Sequence, residues 1–174
     1  SSINAGVPLL VAEGQEGGGH IGSIGTLPLV AQVVAAVKGA VPVIASGGVG
    51  CGSQLVACLV LGAAGVMMGT RFLAAEESPL SARTKQMILQ CPIDGTTVTG
   101  SFTGLAMRCV ANDFTRSFQE MERDLSPYEM LMFGSGKIRA GLIEGDVANG
   151  SCPCGQAVGQ IHSMEPAEAI LRGI

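Results

Sequence analysis

Short apolar runs alternate with amphipathic segments through the first part of the chain. Residues 7–12 form a continuous apolar run, typical of a strand buried on both faces, and residues 41–45 and 65–68 repeat the pattern. Between these runs, residues 27–37 and 53–61 carry apolar side chains at helical spacing. The alternation predicts consecutive βα units, with parallel strands joined by right-handed crossovers.

The pattern changes after residue 78. Residues 81–90, 114–123 and 126–133 predict helices, residues 96–99 predict a short β stretch, and Pro166 opens a last short helix. We therefore divide the α/β chain into late βα units over residues 1–78 and a mainly helical continuation over residues 79–174. A closed barrel needs eight strands and typically about 250 residues. Two folds are therefore considered: an open sheet, and the C-terminal part of a TIM-type (β/α)8 barrel.

Composition and charge exclude several classes of function. The chain has 174 residues, of which 47% are hydrophobic and 14% charged, and its net charge is -4. Without a basic stripe or an aromatic ladder, neither nucleic acid nor an anionic membrane is an expected partner. Gly, Pro and polar residues interrupt every apolar run before the roughly 18 residues of a membrane span. We expect no signal peptide and a cytoplasmic location.

The six cysteines are scattered, and Cys152 and Cys154 form the only close pair. A zinc site usually combines two close pairs of cysteine or histidine ligands. A second close pair is missing here, so no metal site is predicted. Thiols in a reducing compartment are the favoured interpretation. A redox role for the pair is the weaker alternative.

A glycine-rich segment follows the first predicted strand. Residues 13–22 have the sequence EGQEGGGHIG, and consecutive glycines let a backbone approach a flat ligand where a Cβ atom would collide. His20 ends the glycine run, where an imidazole suits proton transfer or hydrogen bonding to a ligand. We favour this function over a capping role for His20, whereas no function is favoured for His162 in a polar segment near the end of the chain.

Two further loops follow the next two strands. Residues 46–50 (SGGVG) place backbone N–H groups before a predicted helix, which suits an anion, although the spacing does not match the dinucleotide fingerprint. Residues 67–72 (MMGTRF) add backbone and hydroxyl donors from Gly69 and Thr70, while Arg71 balances charge or braces the loop. Paired loops on adjacent late strands form phosphate sites in barrels, so the two loops together predict a phosphate-bearing ligand.

The segments AEGQEGGGHIG (residues 12–22), PVIASGG (42–48) and GVMMGTRFLAAEES (65–78) resemble the nitronate monooxygenase family, formerly called 2-nitropropane dioxygenases, which includes enoyl-acyl-carrier-protein reductase II. TTVTG (96–100), EGDVANGS (144–151) and Gly155-Gln156 extend the similarity through nearly the whole chain. Departures from the family pattern are Gly17, Ser46 and the cysteine pair, together with the absence of the N-terminal strands that complete the family barrel.

The resemblance implies an FMN-binding barrel oxidoreductase with a catalytic or substrate-positioning His20. It implies that the flavin is bordered by Glu13 and Gly18, and that its phosphate is held by a second group of residues: Gly47, Gly48, Met68, Gly69 and Thr70. The leading hypothesis is that the protein oxidises a small-molecule substrate, an alkyl nitronate, with dioxygen. A homodimer is the oligomeric state we consider.

Two other functions stay open. The nearest rival is NADH-dependent reduction of enoyl chains on acyl carrier protein, with NAD(P)H as electron donor, because Glu13 stands where many nitronate oxidisers carry Gln. The other is a non-catalytic module that binds a phosphate ligand, which the missing N-terminal strands favour and the intact motifs oppose. A dehydrogenase of the inosine monophosphate type would need a catalytic cysteine loop, and Cys51 follows the Gly-Gly turn too closely for that.

Overall fold

The computed structural model describes residues 6–100 and 105–174. In chain order its strands are β1 (Leu10–Glu13), β2 (Gly19–His20), β3 (Val43–Ser46), β4 (Gly65–Met67), β5 (Thr96–Thr99) and β6 (Met107–Val110). Its α-helices are α1 (Thr26–Val37), α2 (Gly52–Val60), α3 (Thr70–Leu73), α4 (Ala82–Gln90), α5 (Asp113–Met121), α6 (Pro127–Gly134), α7 (Lys137–Arg139) and α8 (Ala167–Arg172). A π-helical turn over Ala140–Glu144 follows α7, and Gln156–Gln160 form a 3-10 helix.

The apolar runs of the first part form a parallel sheet in the order β1-β3-β4. Helices α1 and α2 make the two crossovers, so the predicted βα units are confirmed. Ala12, Ala45 and Val66 lie side by side in the sheet. The register also aligns the carboxyl ends of the three strands, which brings together the loops that follow them. In the part of the chain that the structure describes, this sheet is open, and a closed barrel is not formed.

The first strand begins later than its apolar run. Residues 7–12 were expected to form it, but pairing starts where the N–H of Leu10 donates to the carbonyl of Pro42, at 2.9 Å. Hydrophobicity alone does not set this boundary, because a strand extends only as far as its partner strand does. The other strand and helix predictions in this part of the chain agree with the structure to within two residues.

The parallel sheet and its two helices share a core of small and β-branched residues. Val30 and Ala45 have no exposed surface. The buried members of this first core are Ala12, Val30, Val37, Val43, Ala45, Val49, Cys58 and Ala63. Burial of these side chains holds the ends of the three strands in fixed relation to one another.

A second sheet joins the two parts of the chain. The two-residue strand β2 pairs antiparallel with β6, and β6 pairs antiparallel with β5, giving the order β2-β6-β5. The expected β stretch at Thr96–Thr99 is confirmed, whereas β2 and β6 were not predicted. Residues 79–174 therefore contain sheet as well as helix.

A second core lies beneath this sheet and the C-terminal segment. Its buried members are Ala74, Ile88, Val110, Cys152, Cys154, Val158 and Ile161. Pairs that cross the proposed boundary at residue 78 include β2 with β6 and Arg71 with Glu165. The division into residues 1–78 and 79–174 stays a prediction, and the two parts are in extensive contact.

Candidate functional site

A cleft of about 340 Å³ opens at the carboxyl ends of β1, β3 and β4. It is lined by Glu13, Gly17, Gly18, Ser46, Gly47, Gly48, Val49, Met67, Met68, Gly69, Thr70, Leu73, Pro153 and Ala157. Every residue for which a flavin contact was predicted is in this set. The structure thus brings those residues together around one cavity, where parallel α/β sheets commonly bind ligands.

The turn after β3 can be made only by glycine. Gly47 and Gly48 have φ angles of 95° and 75°, a left-handed backbone that residues with a side chain rarely adopt. A Cβ atom on Gly47 would lie 2.8 Å from the carbonyl oxygen of Gly14, and one on Gly48 would lie 2.8 Å from the Cβ of Glu16. The turn therefore packs directly on the glycine-rich segment and presents bare backbone to the cleft.

The loop after β4 is built differently. A Cβ atom on Gly69 would meet no atom within 4 Å, and the φ angle of Gly69 is -104°, so the fold itself tolerates a side chain there. The neighbouring Thr70 accepts a hydrogen bond at its hydroxyl oxygen from the N–H of Gly155, at 2.9 Å. That bond fixes the side chain and leaves the hydroxyl hydrogen free to be donated to a ligand.

The C-terminal segment closes one side of the cleft through Pro153 and Ala157. Its backbone lies against the glycine-rich segment so closely that a Cβ atom on Gly18 would be 2.6 Å from the nitrogen of Gly155. The N–H of Gln156 donates to the carbonyl of Glu16, at 2.9 Å. The local pattern did not predict Pro153 or Ala157, although two signals lay beside them: the cysteine pair that flanks Pro153 and the Gly155-Gln156 match.

Glu13 ends β1 and contributes the one carboxyl group among the residues that line the cleft. Glu13 is exposed as a residue, and the partial burial of its carboxyl raises the pKa of this group above its usual range. Glu13 pairs with Ser46 of the neighbouring strand, and its predicted place at the border of a flavin ring stays a prediction.

A hydrogen-bond network connects the glycine-rich segment to the turn after β3. The carboxylate of Glu16 accepts from the N–H of Thr26, at 2.8 Å, and so satisfies an N-terminal donor of α1 that no residue of the helix can reach. The hydroxyl of Thr26 lies 2.8 Å from both this carboxylate and the carbonyl oxygen of Gly47. Helix α1, the segment and the turn are therefore held as one unit.

His20 lies beside the cleft rather than in its wall. It ends β2, opposite Met107 of β6, and its side chain is exposed. Gly18, two residues earlier, lines the cleft. The catalytic role of His20 stays a prediction.

Among the described residues that line the cleft, none is Lys, Arg or His. Of the two roles considered for Arg71, the structure supports the bracing role, because its guanidinium donates to the carboxylate of Glu165 at 3.0 Å. An anion in the cleft would therefore be held by backbone N–H groups and the Thr70 hydroxyl. Within residues 6–100 and 105–174, no cluster of His, Cys, Asp or Glu is placed to hold a metal ion, and no helix has the length and apolar character to cross a membrane.

The chain is similar in sequence and structure to several known proteins. The chain is 39% identical over 136 residues to a probable nitronate monooxygenase of Staphylococcus haemolyticus, an alignment that covers 72% of this chain and 38% of that protein. The structure superposes on FabK from Thermotoga maritima with a TM-score of 0.92 and 38% identity, over 98% of this chain and 54% of FabK. For nitroalkane oxidase from Streptomyces ansochromogenes the TM-score is 0.82 and the identity 31%, over 98% of this chain and 51% of the oxidase.

The chain thus spans about half the length of each of the two proteins of known structure, and 38% of the length of the Staphylococcus haemolyticus protein. The family profile for nitronate monooxygenase matches residues 2–174. Because that match takes in nearly every residue, the chain belongs to the nitronate monooxygenase family.

Proposed function

We propose that this chain is the phosphate-binding part of an FMN-dependent oxidoreductase that oxidises alkyl nitronates with dioxygen. The observation that carries the proposal is the single cleft that gathers the Gly47-Gly48 turn, Gly69 and the Thr70 hydroxyl at the ends of adjacent parallel strands. The membership of the chain in the nitronate monooxygenase family supports the same activity. We further infer that β1, β3 and β4 are neighbouring strands of a TIM-type barrel, which the superposition on FabK supports.

The residues present fit the phosphate end of FMN. Where a Cβ atom would enter the cleft wall there are glycines, and the open space at Gly69 leaves room for a ligand oxygen. Thr70, fixed by Gly155, would donate its hydroxyl hydrogen to that oxygen, and the backbone of Gly47 and Gly48 would supply N–H donors. Glu13 and Gly18 would border the ring. When bound, the flavin supplies the electron transfer of the reaction.

The proposed task of His20 is to move a proton at the substrate. The exposed imidazole at the end of β2 is held by strand pairing to β6, so the position of its backbone does not depend on the substrate. Replacing His20 by Ala should leave FMN binding nearly unchanged and lower turnover of an alkyl nitronate by about 10²-fold or more, as expected for loss of a proton-transfer group.

The matched control is His162→Ala, because His162 is also exposed and lies outside the cleft lining. That variant should keep the turnover number of the wild type. A His20→Ala protein with wild-type turnover would remove the catalytic assignment while leaving the cofactor assignment intact.

The rival activity is reduction of an enoyl chain on acyl carrier protein with NADH as the electron donor. It is favoured by Glu13, a carboxyl with a raised pKa at a position where many nitronate oxidisers carry Gln. The two activities differ in what they consume. NADH oxidation that depends on an added enoyl thioester would support the reductase, and nitronate-dependent oxygen uptake without NADH would support the oxidase.

A non-catalytic module that binds a phosphate ligand is the proposal of a different class. The share of the relatives that the chain spans favours it. It would retain FMN yet show neither nitronate oxidation nor NADH consumption, so the same pair of assays separates it from both enzymes.

A further inference from the structure

We propose that Cys152 and Cys154 form a reversible disulfide that controls the C-terminal wall of the cleft. The consequence for the cleft rests on the proposed cofactor, whereas formation of the bond does not. The two residues flank Pro153, which lines the cleft. Their thiols have no assigned part in the binding or chemistry proposed above.

The two sulfur atoms already lie side by side, with a distance of 3.6 Å between Cys152 Sγ and Cys154 Sγ. A disulfide needs about 2.05 Å, so the sulfurs must approach by roughly 1.5 Å. Both side chains are buried in the second core, with relative exposures of 1% and 0%. Proximity therefore favours this pair over any pairing that requires the backbone to move between elements.

Two other thiols lie in the same region and could compete. Cys109 of β6 is hydrogen-bonded to Ser151, with 3.3 Å between Sγ and Oγ. Burial raises the pKa of the Cys109 thiol to about 11. Cys91 is half-buried after α4, where burial and the neighbouring Cys152 raise the pKa of its thiol. Peptide mapping must therefore distinguish a disulfide between Cys152 and Cys154 from one that includes Cys91 or Cys109.

The pair is joined to the cleft by backbone contacts on both sides. The carbonyl of Cys152 accepts from the N–H of Val110 at 2.9 Å, which anchors that end to β6. At the other end, a Cβ atom on Gly18 would lie 2.7 Å from the carbonyl carbon of Cys154, so the two backbones are in tight contact. The next residue, Gly155, donates to Thr70. We expect the approach of the sulfurs to shift this wall, because its backbone contacts are tight.

Hydrogen peroxide is the oxidant that suits the site, since it is close to water in size and bulky disulfides cannot reach buried sulfurs. We assign the first attack to Cys152, because Cys152 has 1% of its surface exposed whereas Cys154 is fully buried. Its sulfur takes one peroxide oxygen as the O–O bond breaks, giving a sulfenic acid and water. The Cys154 sulfur then displaces the hydroxyl as a second water, so two thiols and one peroxide yield one disulfide and two waters.

The test uses a Cys51→Ser background. The pKa of Cys51 is lowered by hydrogen bonds from Ser53 and Gln54, which makes it the thiol that peroxide would attack nonspecifically. After treatment with hydrogen peroxide, the intact mass should fall by about 2 Da, and peptide mapping should join Cys152 to Cys154. Dithiothreitol should restore the mass. Cys152→Ala and Cys154→Ala should each abolish the change, and Cys58→Ala, in the first core, should not.

FMN affinity is measured separately by fluorescence quenching on the reduced and oxidised forms. We expect the oxidised form to bind FMN roughly tenfold more weakly, because the Thr70–Gly155 contact is disturbed. A disulfide that includes Cys91 or Cys109, or none at all, overturns the proposal. Equal FMN affinity of the two forms overturns the control of the cleft. Absence of FMN binding to the reduced form contradicts the proposed function, while the mass measurement still decides the disulfide.

Discussion

Glycines in the cleft serve two different purposes at the scale of single residues. Gly47 and Gly48 are required by the fold, because their φ angles are positive and a Cβ atom would collide with the glycine-rich segment. Gly69 has neither constraint, since its φ angle is negative and the space around it is open. We therefore expect a ligand to approach the backbone of Gly69.

The variant Gly69→Val tests this distinction. Its melting temperature should be close to that of the wild type, because a Cβ atom at this position meets no atom within 4 Å. FMN affinity should fall by about tenfold or more, a loss of roughly 1.4 kcal/mol, because the side chain occupies space meant for the phosphate. Gly22→Val is the matched control, since a Cβ atom on Gly22 also has no neighbour within 4 Å and Gly22 is outside the cleft lining. Equal FMN affinity of the two variants would remove Gly69 from the phosphate site.

The raised pKa of Glu13 predicts a pH dependence. A carboxyl whose folded-state pKa is raised binds its proton more tightly in the folded state, so its unfavourable contribution to stability grows as the pH rises through the ordinary carboxyl range. Glu13→Gln should therefore melt at a higher temperature than the wild type at pH 7. Near pH 4 the difference should shrink, because both proteins then carry a neutral group. A stability difference that does not change with pH would mean that Glu13 is not perturbed by burial.

At the scale of elements, helix α5 shows how one side chain can hold a whole region together. Asn112 caps the helix by accepting from the N–H of Thr115 at 3.0 Å, and the Thr115 hydroxyl accepts in return from the N–H of Asn112. The side-chain amide of Asn112 also donates to the carbonyls of Val147 and Gly150, at 2.9 and 2.7 Å. The cap thereby fixes the loop that leads to the C-terminal wall of the cleft.

Asn112→Ala should lower the free energy of unfolding by about 2–3 kcal/mol, since it removes a helix cap and leaves buried carbonyls without donors. Ser126→Ala removes an equivalent cap from the exposed start of α6 and should cost about 1 kcal/mol or less. Urea unfolding of both variants measures the difference. Similar losses for the two would show that the loop contacts of Asn112 contribute little.

The strands differ in how far they could be predicted from the sequence. The three parallel strands are continuous apolar runs, and their pattern is local, so they were found. Strand β6 was missed because its sequence, MRCV, contains Arg108, a residue expected at the surface. In the structure this side chain is buried and its Nε donates to the carbonyl of Gln15, at 3.0 Å. Strand β2 has two residues and exists only through its pairing with β6, which no local pattern reports.

The candidate site could be predicted to a similar extent. Its glycines and Thr70 follow strands directly, so the sequence places them at one edge of the sheet. Pro153 and Ala157 reach the cleft from residues far along the chain, through the contact of Gly18 with Gly155. A contact of this kind depends on tertiary packing and leaves no periodic trace in the sequence.

At the scale of the whole molecule, the cleft is formed by residues from both ends of the chain. The β1 loop, the β3 turn and the β4 loop form its floor, and the segment around Gly155 closes its side. Thr70 joins the two through its bond to Gly155. Thr70→Val, which keeps the shape of the side chain and removes the hydroxyl, should therefore reduce both stability, by about 1 kcal/mol, and FMN affinity.

Thr70→Ser is the conservative partner of that variant, because it retains the hydroxyl. It should keep FMN affinity within about threefold of the wild type, as expected when the hydrogen bonds are preserved. Calorimetric titration with FMN and thermal unfolding of both variants provide the two readouts. If Thr70→Val bound FMN as well as the wild type, the hydroxyl would have no part in holding the phosphate.

The most direct test of the central claim is the affinity of the purified chain for FMN compared with riboflavin, which has the same ring and ribityl chain but no phosphate. If the backbone N–H groups of the Gly47-Gly48 turn and the Thr70 hydroxyl bind the phosphate, FMN should remain with the protein through a desalting column, with a shifted and structured visible absorption band. Riboflavin should bind at least about tenfold more weakly, a difference of roughly 1.4 kcal/mol or more. Equal affinity for the two flavins, or no retained FMN, would contradict a phosphate site in this cleft.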